Sequence, residues 1–158
     1  MKRLLDIFKP VVAFIPSADI AYGTPTSDWV NMSKYREANL HLSVKSSGGS
    51  MTAVVKCSAA ADGSSATAIA GRYRKVNRAG SPVDTIGDYV EFTSSGFSVA
   101  ANSDGIFIIE VRAEDLTEGK PFVGVTLTQG TAGAIVGAGS WLMGDGHYAG
   151  KGALSAVS

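Results

Sequence analysis

The sequence has little of what staples a fold, binds metal or moves protons. Its 158 residues include one cysteine, Cys57, and two histidines, His41 and His147. A single thiol cannot close an intramolecular disulfide, so this is not a disulfide-stapled secreted scaffold, and synthesis in a reducing compartment is the simplest account. Net charge is missing as well. Fourteen basic and fourteen acidic residues leave no long-range field to gather nucleic acid or an anionic membrane, and neither is expected as a partner. Long apolar runs are scarce too. A basic start, Met1-Lys2-Arg3, precedes apolar residues, but Asp6, Lys9 and Pro10 interrupt them. Only residues 11–15 stay unbroken, too short for a signal core or a membrane span. Export by the secretory route is therefore not expected, and the sequon Asn31-Met32-Ser33 carries no weight in that setting.

What the chain does have is β-branched residues and turn formers. Valine and isoleucine number 24 against 8 leucines, and side chains branched at Cβ favour strands over helices. Nineteen glycines and 18 serines are scattered as turn signals. The length fits one domain with a sizeable core. The expected fold is all-β: a single-domain antiparallel β-sandwich, jelly-roll-like, with about eight short strands and few helices. The organisation predicted is an extended N-terminal arm over residues 1–16, a sandwich over 17–149, and a Gly/Ala/Ser-rich tail over 150–158. Such a tail frays unless something holds it, and neighbouring chains are the expected restraint.

Residues 105–130 look like the centre of the fold. Residues 106–111 form a nearly continuous apolar run, the pattern of a strand buried on both faces, whereas 122–127 alternate. Between them Ala113, Glu114, Asp115 and Leu116 can make one helical turn that Gly119 and Pro121 stop. Elsewhere 16–28 reads as a loop, 29–32 as a short strand, and 40–45 as a half-buried strand. Residues 46–50 make a tight connection to a strand over 51–59, and the pair is expected to be an antiparallel hairpin. Residues 66–70 are ambiguous, and 72–76 suit an edge strand guarded by charge. Strands are expected at 88–93 and 97–100, a flexible segment at 130–139, and a last strand around Ile135, Val136, Trp141, Leu142 and Met143.

Candidate chemistry is thin, and no catalytic residue, metal site or cofactor is assigned. His41 falls on the polar face of its strand, while His147 follows Gly144-Asp145-Gly146, which could bring Asp145 close; two such groups fall short of a metal site. Cys57 shares a strand face with Val55 and Ala59, so a small buried hydrophobe is the default, and no base can be placed beside it for nucleophilic work. Gly137-Ala138-Gly139 and Gly144-Asp145-Gly146 lack the strand-before, helix-after context of phosphate loops. Glu110, Glu114, Asp115 and Glu118 could suggest paired glycosidase carboxylates. Glu110 lies in an apolar strand, where pairing with Arg112 or another base is the simpler expectation, and solvation of a turn explains the rest. Arg72, Arg74, Lys75 and Arg78 with Tyr73 form the one basic patch. Edge protection or a salt bridge to another subunit is favoured over nucleic acid.

Several elements follow one another in a particular order: an N-terminal arm ending Lys9-Pro10-Val11-Val12; Trp29-Val30; a Gly/Ser connection feeding Thr52-Ala53-Val54-Val55-Lys56; Arg72-Tyr73-Arg74; Ile109-Glu110-Val111 followed by Ala113, Asp115-Leu116 and Gly119; and Tyr148-Ala149 near the end. This order resembles small virion structural proteins of tailed bacteriophages, the kind that decorate or cement the head. The resemblance implies a non-enzymatic protein made in the host bacterial cytoplasm and located in the virion. Its partners would be the major capsid protein and copies of itself, as in the trimers frequent in that class. Contacts are then expected from Leu4, Leu5, Ile7 and Phe8 in the arm, from Trp29 and Trp141 as aromatic anchors, and from Arg72 and Arg74. Other readings remain open at this stage: a tail-tube or tail-tip subunit, a carbohydrate-binding sandwich for whose aromatic platform only Trp29, Trp141 and scattered tyrosines are available, or a hydrolase built on Glu110.

Overall fold

A computed structural model describes residues 8–78 and 84–146. The order is β1 (Lys9–Ser17), β2 (Val30–Asn31), β3 (Tyr35–Ser47), β4 (Met51–Ser58), β5 (Thr67–Ala68), β6 (Gly71–Asn77), β7 (Val90–Phe92), β8 (Phe97–Val99), β9 (Asp104–Arg112), a single 3-10 turn (Ala113–Asp115), β10 (Phe122–Gln129) and β11 (Ala134–Gly146). A six-stranded antiparallel sheet runs β1-β11-β3-β9-β6-β7. A five-stranded sheet is built on β2-β10-β4-β5, with β8 also pairing β4. The inner faces enclose one hydrophobic core. From the larger sheet come Leu40, Leu42, Val44, Phe107, Ile109, Ile135, Trp141 and Met143; from the smaller come Met51, Ala53, Val55, Cys57, Val123, Val125 and Leu127. The all-β sandwich predicted from composition is the fold observed.

Alternation is what sends these residues inward. In β3 every second residue from Ala38 to Val44 is buried, and Met51, Ala53, Val55 and Cys57 do the same in β4, as a period of two requires. Tyr73 of β6, Phe107 of β9 and Phe97 of β8 stack at one side of the core, the Tyr73 and Phe97 rings 4.1 Å apart and 21° from parallel. This aromatic contact ties the two sheets where the small strands β7 and β8 lie.

Several expectations are corrected. The segments 40–45 and 51–59 do not form a hairpin: β3 is flanked along its length by β9 and β11, leaving no free side for β4, which joins the other sheet. The connection between them is pinned from outside. Ser46 N–H donates to Ser103 O at 2.8 Å and Gly48 N–H to Asn102 Oδ1 at 3.1 Å, and a Cβ on Gly49 would come 2.3 Å from Gly133 O. The two central strands exchange burial. In β9, Ile106 and Ile108 are half-buried on an outer face, whereas β10 is buried from Val123 to Leu127. Trp29 covers Gly124 from outside, and Thr126 faces Thr26 across a 3.1 Å hydroxyl pair. Of the segment 130–139, residues 134–139 belong to the long β11, paired with β3 throughout and with β1 from Gly137 on, so Gly137 and Gly139 sit in a central strand while Gly130 and Gly133 stay in the connection before it. Residues 9–16 are not an arm but an edge strand against β11. The strands number eleven: β1 stands where an arm is expected, and the two-residue β5 falls in the stretch 66–70 that the sequence leaves ambiguous.

Candidate interaction surface

Antiparallel register fixes which residues share the outer face of the six-stranded sheet, since directly paired residues point the same way. One row across the strands reads Val12, Ser140, His41, Ile108 and Arg74; the next reads Ala138, Ser43, Ile106, Val76 and Ile86. On the other side of the first row lie Pro10, Leu142, Asn39, Glu110, Arg72 and Glu91. The face is therefore aliphatic and small through its middle and charged at one end. Val12 is 58%, Ile86 59% and Val136 53% exposed, so the band reaches solvent at both margins.

The charged end is one connected network. Glu110, buried, accepts from Arg72 Nη2, from Arg112 Nε at 3.1 Å and from the Tyr89 hydroxyl at 3.0 Å. Burial alone would push its carboxyl up. The hydrogen bonds from Arg72 and Tyr89 and the charges of Arg72 and Arg112 outweigh that and hold it below the ordinary carboxylate value. The Tyr89 ring lies under two guanidiniums, with Arg72 Cζ 4.4 Å and Arg74 Cζ 4.0 Å from its centroid. Arg112 continues to Glu114 at 3.5 Å, and its backbone N–H donates to Asp115 Oδ2 at 3.1 Å. A carboxylate kept ionised and occupied by three donors is a tether between β6, β9 and the segment before β7.

At the other end of the sheet Arg78 holds Asp104, donates to Ser43 Oγ at 2.9 Å and reaches Val44 O at 3.0 Å. His41 sits half-buried between Ser140 and Ile108, and burial lowers its imidazole below the ordinary value.

The residues expected to make contacts are scattered. Arg72 and Arg74 lie on the outer face, but β6 is an interior strand of its sheet, so they are not edge guards, and Arg72 finds its carboxylate within the chain. Trp141 is corrected: it is fully buried in the core, its Nε1 without a hydrogen-bond partner, and it offers nothing to a neighbour. Its burial also takes one of the two tryptophans from a carbohydrate platform. Trp29 is half-buried on the opposite sheet, against Gly124 and Gly63. Phe8 packs on Gly144 of β11. Leu4, Leu5, Ile7, His147 and residues 150–158 lie outside the described residues, as does the side chain of Asp145. Cys57 is buried as expected, its Sγ 3.4 Å from Thr117 Oγ1. Glu114, Asp115 and Glu118 are exposed. Glu118 lines a shallow depression of about 400 Å³ together with Met32, Leu116, Thr117, Lys120 and Pro121.

Among the described residues no three His, Cys, Asp or Glu side chains are grouped to hold a metal ion, and no helix is long and apolar enough to cross a membrane. The residues that sequence reasoning missed are Tyr89, which organises the charged network, and the outward aliphatics Ile106, Ile108, Val76 and Ile86. The continuous run 106–111 was their signal, since an outer face as apolar as the inner one erases alternation. Comparison with protein-family models and with curated proteins finds no match to either.

Proposed function

We propose that this chain is a non-enzymatic virion structural subunit, a cement protein that binds the outer surface of a tailed-phage head and stabilises it, and that the outer face of its six-stranded sheet is the surface laid against the capsid. The observation that carries the reading is the composition of that face. A band of Val12, Ile106, Ile108, Val76 and Ile86, with Arg, Tyr and His set beside it, has the makeup of an interface centre with a polar rim. A sandwich suits the task because a broad sheet presents many side chains at fixed spacing. On a shell of repeated sites each copy needs only a modest contact. The resemblance in residue order to head decoration proteins supports the same conclusion, and copies of the chain itself, arranged as trimers, are its second partner.

Quantitative mass spectrometry of purified particles, with gold labelling seen by electron microscopy, tests the reading. Hundreds of copies distributed over the head are expected. Absence from the particle overturns it, and label confined to the tail replaces it with a tail subunit. Because Phe8 packs on Gly144 and β1 begins at Lys9, a truncation that probes the first residues without disturbing the sheet stops at residue 7. The isolated domain should then keep its unfolding midpoint while head association falls if Leu4, Leu5 and Ile7 contribute.

A further inference from the structure

Arg74 stands apart from the other cations of the outer face. Arg72 and Arg112 share Glu110, and Arg78 holds Asp104. Arg74 makes neither a hydrogen bond nor an ion pair to any described residue. Its Nε is buried without an acceptor, and its Cζ lies over the Tyr89 ring, 4.0 Å from the centroid. That ring is itself fixed, because its hydroxyl is committed to Glu110. The guanidinium is therefore held by stacking, with its terminal nitrogens unused. Its surroundings on the face are Ile108 across the strand pair, Val76 two residues on, and Ile86 opposite Val76. A cation oriented in advance, short of a counter-charge and edged by aliphatic surface is the arrangement in which an arginine becomes an interface anchor.

We propose that Arg74 receives a single carboxylate from a protein partner, an Asp or Glu side chain of the head surface that pairs with its two Nη groups while aliphatic neighbours pack on Ile108, Val76 and Ile86. The proposal rests on the reading of this face as the capsid contact. Charge decides the class of ligand. One uncompensated positive charge calls for one negative charge, and a planar carboxylate matches the guanidinium fork. A doubly charged phosphate would sit close to Glu110, whose own carboxylate is ionised, and to the exposed Glu91 paired opposite Arg72.

The test is co-sedimentation with heads purified without this protein, comparing the natural chain with R74K, R74Q and R74E. Arg74 is half-exposed, but R74Q and R74E lose its cation–π contact with Tyr89, so each variant's unfolding midpoint is measured first and binding is compared at a temperature where all of them are folded. R74Q is expected to weaken binding about tenfold or more and R74E to abolish it. R74K should recover part of the affinity, since an ammonium keeps the charge but not the fork. If the natural chain sediments with heads and R74Q and R74E do so equally well, Arg74 is not the anchor, though the face can still be the contact. If the natural chain stays in the supernatant, the head-binding reading fails and takes the carboxylate partner with it. Should R74E fail to fold, R74K and R74Q decide alone.

Discussion

The indole of Trp29 lies on Gly124, where an added Cβ would come 2.9 Å from Cδ2. The same ring fills the space beside Gly63, which has φ +74° and would place a Cβ 2.2 Å from Cε2. Two glycines thus make the seat that lets a residue from before β2 close the outer side of β10. Gly124→Ala is expected to displace the ring and cost about 1–3 kcal/mol, read by urea denaturation. The near-ultraviolet circular dichroism of tryptophan should change in the same variant. An unchanged midpoint and spectrum would show that the indole is not seated there.

Ser27 extends the smaller sheet by side chain and backbone together. Its N–H donates to Val125 O at 2.8 Å, and its Oγ accepts from the buried Val125 N–H at 2.9 Å. Ser27→Ala leaves that donor without a partner away from water, so a loss of about 1–3 kcal/mol is expected. Amide exchange at Val125 should accelerate more than at Ala53 of the neighbouring strand, and equal acceleration would indicate only a global effect.

The Glu110 network gives the fold an acid limit. Its carboxyl is held below the ordinary value of 4.5, so the folded state binds fewer protons than the unfolded state in that range. Its contribution is therefore complete above about pH 4.5 and declines as pH falls through the folded value. Glu110→Gln should lose about 1–3 kcal/mol at neutral pH, because Arg72 and Arg112 lose their shared negative charge and one of the two acceptor oxygens becomes a donor group. It should also flatten the fall in stability below pH 4.5. A variant whose acid limb matches the natural chain would place the titrating group elsewhere.

His41 acts in a higher window by the opposite charge logic. Burial lowers its imidazole below 6.5, so below that pH the unfolded chain takes up a proton before the folded one does. Stability is expected to fall as pH drops from 6.5 toward the folded value, and to be insensitive above it. His41→Gln should remove this slope while leaving the one at lower pH. Unfolding midpoints measured from pH 7.5 to 5 separate the two.

Periodicity made the inner half of the fold legible. Leu40, Leu42 and Val44, and Met51, Ala53, Val55 and Cys57, could be assigned to the core because they alternate with a face that is polar apart from Val54. Pairing was not legible in the same way. The Ser46–Ser50 stretch has the composition of a hairpin turn, yet its donors are taken by Asn102 and Ser103, residues far along the chain that no local pattern announces. Glycines misled twice. Those in 130–139 suggested flexibility, although Gly139 is where the Phe14 ring needs room. The apolar character of β10 depends on Trp29 arriving from another segment. At the candidate surface, pairing of Glu110 with an arginine could be foreseen from its place in an apolar strand. The role of Tyr89 could not, since it depends on β7 lying beside β6. Trp141 was misassigned because a large aromatic near the end of a chain looks the same in sequence whether it caps a core or meets a partner.

The position of β11 between β1 and β3 sets the order of events during synthesis. Two strands made early must wait for β11 before either can complete its ladder, so the larger sheet cannot close until Ala134–Gly146 has been synthesised. Contacts between distant segments also slow folding once the chain is free. Until then the aliphatic faces of β1 and β3 are open to other molecules, and a product cut short before Ala134 should be captured by chaperones or precipitate instead of accumulating as a smaller folded domain.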